Sequence, residues 1–252
     1  MTSLTAILGA TLTDLRAVTR LGWLGRTIVV LIVVADLLVV GANLVFLTVD
    51  EPRREPTHPV FSNLVWNGDV DNSWMERVGH VQLLGAAVGC LVLRRRHGDA
   101  VYLVSAALLA WIVIDDAGRL HEAGGNLFGR LGVSPVAGIS AQQLGELAVW
   151  ALAGLALLPA FVWGLRRAGD QARARTSVLL VGFAVLLVFG MGVDTLDAIL
   201  ELHVNSWIQT ALALGENVGE LVAIGLITVL VMVQLAGLDH AADLAGPGSA
   251  TT

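Results

Sequence analysis

Six stretches of roughly 20 predominantly apolar residues punctuate the chain, at approximately 27–48, 76–93, 99–120, 141–165, 177–201 and 214–236. That is the length an α-helix needs to cross a hydrocarbon core of about 30 Å. Backbone N–H and C=O groups in lipid find no water, so each stretch must satisfy its own, as a helix does. Composition agrees. Of 252 residues, 56% are hydrophobic and 14% charged, against about 25% charged in ordinary soluble domains, and the mean hydropathy is +0.75. The sequence therefore predicts an all-α integral membrane protein with six transmembrane helices, whose first partner is the lipid bilayer.

Arginine distribution sets the orientation, since basic residues concentrate on the cytoplasmic side. All 15 basic residues are arginine. Arg16, Arg20 and Arg26 precede the first span, Arg94, Arg95 and Arg96 join the second to the third, and Arg166, Arg167, Arg173 and Arg175 join the fourth to the fifth. Only Arg53, Arg54, Arg77, Arg119 and Arg130 fall on the other side, so both termini are expected to be cytoplasmic. No basic patch suits nucleic acid. A single cysteine, Cys90, excludes a disulfide within the chain and reads as a small buried hydrophobe. No small-residue cleavage signal follows the first span, which is expected to stay in place.

Outside the spans the chain divides simply. Residues 1–26 form an N-terminal segment that is either amphipathic, with Leu4, Ile7, Leu8, Leu12 and Leu15 near one face, or disordered. The six-helix domain occupies 27–237, and 238–252, with Gly246, Pro247 and Gly248, reads as a disordered tail. Between the first two spans, Pro52, Pro56 and Pro59 argue against a long helix, and Asp69, Asp71 and Ser73 fit a solvated turn better than a calcium loop.

The spans carry a repeat. Gln143-Leu144-Gly145-Glu146-Leu147 opens the fourth and Asn217-Val218-Gly219-Glu220-Leu221 the sixth, while Arg77-Val78-Gly79-His80-Val81 opens the second with histidine in the glutamate's place. The outer ends of the third and fifth match as well: Asp115 to Glu122 and Asp194 to Glu201 share the spacing Asp-x6-Glu, nearly two helical turns. These matches predict three parallel helical hairpins around a pseudo-threefold axis along the membrane normal.

Because alternate spans run in opposite directions, these acids converge at one level. Asp115, Asp116 and Glu122 end the third span, Asp194, Asp197 and Glu201 end the fifth, and His80, Glu146, Glu216 and Glu220 open the returning ones. An ionised carboxylate facing lipid would cost roughly 2.5 to 3.5 kcal/mol, so the acids are expected to face the bundle interior or water. Two carboxylates about 4 Å apart repel by roughly 4 kcal/mol at an effective dielectric of 20. Protonation, a water-filled vestibule or bound cations would each relieve this.

Metal is the main expectation. Carboxylates from several facing helices together with a histidine form the ligand set used for iron, manganese or zinc in helical bundles, and an oxygen-rich shell also suits calcium. The expected ligands of this divalent metal are His80, Asp115, Glu122, Glu146, Asp194, Glu201 and Glu220, with Glu216 as the proton-handling catalytic group. Arg119, three residues before Glu122 and four after Asp115, gives a competing reading of those two as a salt-bridged helix end. Asp116 and Asp197 read as solvated, and His121, roughly 100° around the helix from the Asp115 and Glu122 face, as an interface residue. Asp36, inside the first span, suits either a proton carrier or a buried hydrogen-bonding acid.

Two functional classes lead. One is a metal-dependent membrane enzyme acting on a lipid or small apolar substrate from an outward-facing site. The other is a cation- or proton-coupled transporter, whose site normally sits near the midplane. A non-catalytic subunit or sensor is the third. The chemistry gathers at one end of the bundle, which ranks the enzyme first.

Overall fold

The computed structural model describes residues 18, 21–50, 63–68, 70, 72–136, 138–200 and 204–245. Helix α1 (Trp23–Val45) runs on as a π-helical turn, Phe46–Asp50, and a 3-10 turn follows at Leu64–Trp66. Then come α2 (Trp74–His97), α3 (Ala100–Gly118), α4 (Leu120–Arg130) and α5 (Ala141–Arg167). Helix α6 (Asp170–Leu187) passes through a second π-helical turn, Val188–Val193, into α7 (Asp194–Leu200), and α8 (Ser206–Ala245) completes the described chain. Six stretches are long and apolar enough to cross a membrane: Trp23–Thr48, Trp74–His97, Ala100–Gly118, Ala141–Arg167, Asp170–Asp197 and Trp207–Ala236. Among the described residues the β-type pairing is one isolated bridge between Val136 and Ile139.

Local chemistry fixes where the helices begin and stop. The Ser73 hydroxyl accepts the Glu76 amide at 3.2 Å and starts α2, while Arg94, Arg95, Arg96 and His97 sit in its last turn, where cations complement the helix dipole. Gly98 then takes a left-handed conformation (φ 80°) that stops the helix. A reciprocal capping box opens α5: Gln143 N–H donates to the Ser140 hydroxyl at 3.2 Å, and Ser140 N–H to the Gln143 side chain at 3.0 Å. Helix α3 ends on Arg119 (φ 52°), a left-handed residue that is not glycine, and the chain restarts as α4 in a new direction.

Helix α8 packs against α1, α2 and α6, whereas α5 lies on α3 and α4. The three returning spans are thus not packed alike. Leucines such as Leu37, Leu38, Leu152 and Leu155 stay exposed on the bundle's outside, as lipid-facing residues would. Inside, Cys90, Leu93, Leu109, Leu179, Ile227 and Leu230 are wholly buried and fill the middle of the bundle. Helix α1 is pinned by polar bonds. Asn43 donates its side-chain amide to the Trp66 carbonyl at 2.9 Å, and Gln82 donates to the Asp36 carboxylate at 2.6 Å. Bonds of this kind between spans are worth about 1 kcal/mol each.

The structure departs from the sequence expectation in several places. The third span stops at Gly118 rather than near 120 and is followed by a separate helix, α4. The fifth is interrupted by the π-turn, and the last helix starts earlier and runs on to Ala245. Residues 1–17, 19, 20, 51–62, 69, 71, 137, 201–203 and 246–252, including Glu201, His203, Asp69 and Asp71, lie outside the described residues.

Candidate metal centre and acid-lined cavity

At the arginine-poor end of the bundle the helices enclose a cavity of about 550 Å³. Its walls are supplied by α2, α3, α4, α5, α6, the second π-turn, α7 and α8, with Gly68 and Val70 from the loop before α2. Seven carboxylates line it, from Glu76, Asp116, Glu146, Asp194, Asp197, Glu216 and Glu220, with the imidazoles of His80 and His121. Among the described residues no arginine lines it. Below the acids the lining turns apolar, with Leu83, Leu108, Ile112, Phe183, Leu186 and Ile224, each further along its helix toward the arginine-rich end.

One wall gathers a ligand set. Glu76 and His80 stand four residues apart on the same face of α2, and Asp116 approaches from the end of α3. His80 Nε2 lies 2.7 Å from Asp116 Oδ2 and 3.8 Å from Glu76 Oε1. One ligand atom from each of the three falls within 4.8 Å of the others, so the group could hold a metal ion. Ligands at bond lengths of about 2.1 Å on one ion stand roughly 3 to 4 Å apart, close to this spacing. Glu76 is itself steadied by a short hydrogen bond from the Asn72 backbone N–H.

Beside this group is a carboxylate–imidazole pair. Asp115 is completely buried, and its Oδ2 lies 3.0 Å from Nδ1 of His121, which lines the cavity. A carboxylate at Nδ1 fixes the imidazole tautomer and leaves Nε2 as the ring's lone-pair nitrogen. The pair exists because Arg119 breaks the helix. On a continuous helix His121 would point roughly 120° away from Asp115, whereas the left-handed residue turns α4 back so that it reaches over.

The facing walls carry the other acids. Glu146 accepts a hydrogen bond from Gln142 at 3.1 Å. Asp194 lies within electrostatic range of Glu146, Asp197 and His121, and Glu220 within range of Asp116, Asp194 and Glu76. The acids therefore form one interacting set.

The repeated motif explains how they come together. Two of the three motif glycines leave no room for a side chain, since a Cβ on Gly145 would stand 2.7 Å from the Gly125 Cα and one on Gly219 would enter the Phe189 ring; one on Gly79 would stand 3.2 Å from the end of the Ile224 side chain, a tight contact that a small shift relieves. The next residue in each motif, His80, Glu146 or Glu220, lines the cavity.

Of the ligands expected from sequence, His80, Glu146, Asp194 and Glu220 line this cavity, as does Glu216. Glu122 does not. It is held in a two-pronged ion pair by Arg119, with Nε to Oε1 at 2.6 Å and a shorter contact from Nη2 to Oε2, in the manner of the salt-bridged helix end. Asp115 sits behind the wall as the partner of His121, so it does not share a helix face with Glu122 as the Asp-x6-Glu spacing implies. Sequence reasoning missed Glu76, Asp116 and His121. The spacing of Glu76 and His80, one helical turn, was the signal available for the first; Asp116 depends on the packing of α3 against α2, and His121 on the break at Arg119.

Six apolar spans, five of which line a cavity of carboxylates and imidazoles, define the class: a polytopic helical membrane protein with an ionisable centre at one end of its bundle. The chain belongs to the family described as a domain of unknown function, DUF8692, whose model matches residues 18–234. No curated protein and no solved structure matches it.

Proposed function

We propose that this protein is a metal-dependent membrane enzyme whose site opens on the non-cytoplasmic side, both termini being cytoplasmic, and which acts on a lipid or small apolar molecule. The observation that carries the reading is the Glu76, His80 and Asp116 group, compact enough for one ion and set in the wall of a cavity with an apolar floor. Three ligands leave positions open for water or substrate. An ion of the iron, manganese, zinc or calcium type would polarise a substrate oxygen or acidify a bound water. His121, held by Asp115, is the proton-transfer group in this reading, a role the sequence assigns to Glu216; Nε2 is the nitrogen that can accept and return a proton.

The repeat enters the proposal as the source of three matched cavity positions, His80, Glu146 and Glu220, which supports common ancestry of the hairpins. Metal analysis of the purified protein beside His80→Ala and Asp116→Ala tests the centre. The expected result is one ion per wild-type chain and at least a hundredfold weaker binding in either variant; equal content in all three would refute the site.

A cation-coupled transporter is the second reading, favoured by buried polar residues at the opposite end: Tyr102, Thr176 and Gln234 are at most 1% exposed. Between the two ends lie Leu109, Leu179, Ile227 and Leu230, all fully buried, and this dry layer supports the enzyme over a through-path. Flux of labelled divalent cation through proteoliposomes, abolished by His80→Ala, would reverse the order.

A further inference from the structure

The metal group takes up one wall of the cavity. Its facing walls present Glu146, Asp194 and Glu220, and among the described residues no arginine lines it. A lipid phosphate or fatty carboxylate brought against these walls would meet like charge at every turn. Glu220 sharpens the point. Its carboxylate is enclosed by protein on all but the cavity side and has no hydrogen-bond or ion-pair partner among the described residues. Room has been kept for it: a Cβ on Gly190, in the π-turn, would collide with its Oε1. π-helical turns recur at functional sites, where they redirect a helix locally. Under the acids lie Leu83, Leu108, Ile112, Phe183, Leu186 and Ile224, with Trp150 among the lining residues, and the volume is that of an ordinary small-molecule site.

We infer that the cavity's organic ligand is an amphiphilic amine, its ammonium group held by Glu220 with Asp194 and Glu146 and its hydrocarbon part on the apolar floor. This rests on the enzyme reading for its role as substrate but not for its binding. A cationic head meets three carboxylates from separate helices, and Trp150, one helical turn beyond Glu146, adds a ring face that attracts ammonium groups. Neutral and anionic amphiphiles of the same length fill the floor equally well and lack that attraction, so discrimination falls on the head group.

The test is calorimetric titration of the full chain in nanodiscs of zwitterionic lipid, with empty nanodiscs subtracted, using decylamine, decyltrimethylammonium, decanol and decanoate. Saturable one-to-one binding of both cations is expected, with decanol at least tenfold weaker and decanoate undetectable. Glu220→Gln is expected to weaken both cations at least tenfold. His80→Ala, which removes the metal, is expected to leave them bound, so the metal reading and this one fail separately. The quaternary probe cannot coordinate a metal. Binding of decylamine alone, and only with metal present, would make the amine a metal ligand and overturn the inference. Equal binding of all four probes would overturn it too, as would unchanged affinity in Glu220→Gln with its fold verified by thermal unfolding.

Discussion

The two ends of the bundle handle buried polarity in opposite ways. At the arginine-rich end, Tyr102, Thr176 and Gln234 are sealed in, and bonds such as that from Gln234 to the Arg175 carbonyl at 3.2 Å knit α8 to α6. The Asp99 carboxylate accepts from the Gly169 backbone at 3.2 Å and ties α3 to the start of α6. At the other end seven carboxylates stand around open space. Close packing at the first end secures the helices relative to one another; at the second, stability has been given up to keep charges of one sign together. That is the pattern of a functional site, where stability and activity oppose each other.

Four substitutions would break or sharpen this contrast. The largest effect is expected in the closed region: Leu230→Ala removes a fully buried side chain and should cost about 2 to 5 kcal/mol, read as a lower unfolding midpoint in detergent. Next comes Gly145→Leu, which drives a side chain into the backbone of Gly124 and Gly125 and should cost about 1 to 3 kcal/mol or more. At the open end the sign should reverse. Glu220→Gln removes the cost of burying a carboxylate and, second to it, the repulsion from Asp116, Asp194 and Glu76, and should raise the stability of the metal-free protein by about 1 kcal/mol or more. A lower midpoint there would mean the acids are structural and the contrast between the ends is false. The smallest effect belongs to Arg119→Ala, whose pair with Glu122 is largely solvated; removing it should cost under about 1 kcal/mol, apart from any change at the left-handed position itself.

The spans were legible because twenty apolar residues admit few alternatives in lipid, and the meeting of His80, Glu146, Asp194, Glu216 and Glu220 followed from span direction alone. Which neighbour faces inward was not. Asp115 and Asp116 are adjacent, and the structure turns one to His121 and the other to His80. Rotation by one residue decides between them, and it is set by tertiary packing and by a left-handed arginine that no side-chain pattern announces. The π-turn at Val188–Val193 was equally silent, since its residues read as ordinary apolar span. The motifs suggest hairpin symmetry, yet α5 and α8 pack against different sets of neighbours.

The π-turn has a mechanical corollary. A wide turn of this kind amounts to one surplus residue wound into a regular helix, and everything beyond it is phased by that surplus. Winding the same residues as an unbroken α-helix, with nothing excised, would swing Asp194 and Asp197 by roughly 100° about the axis, away from the other acids, with no charged group deleted. The composition of the centre would be intact and its address lost.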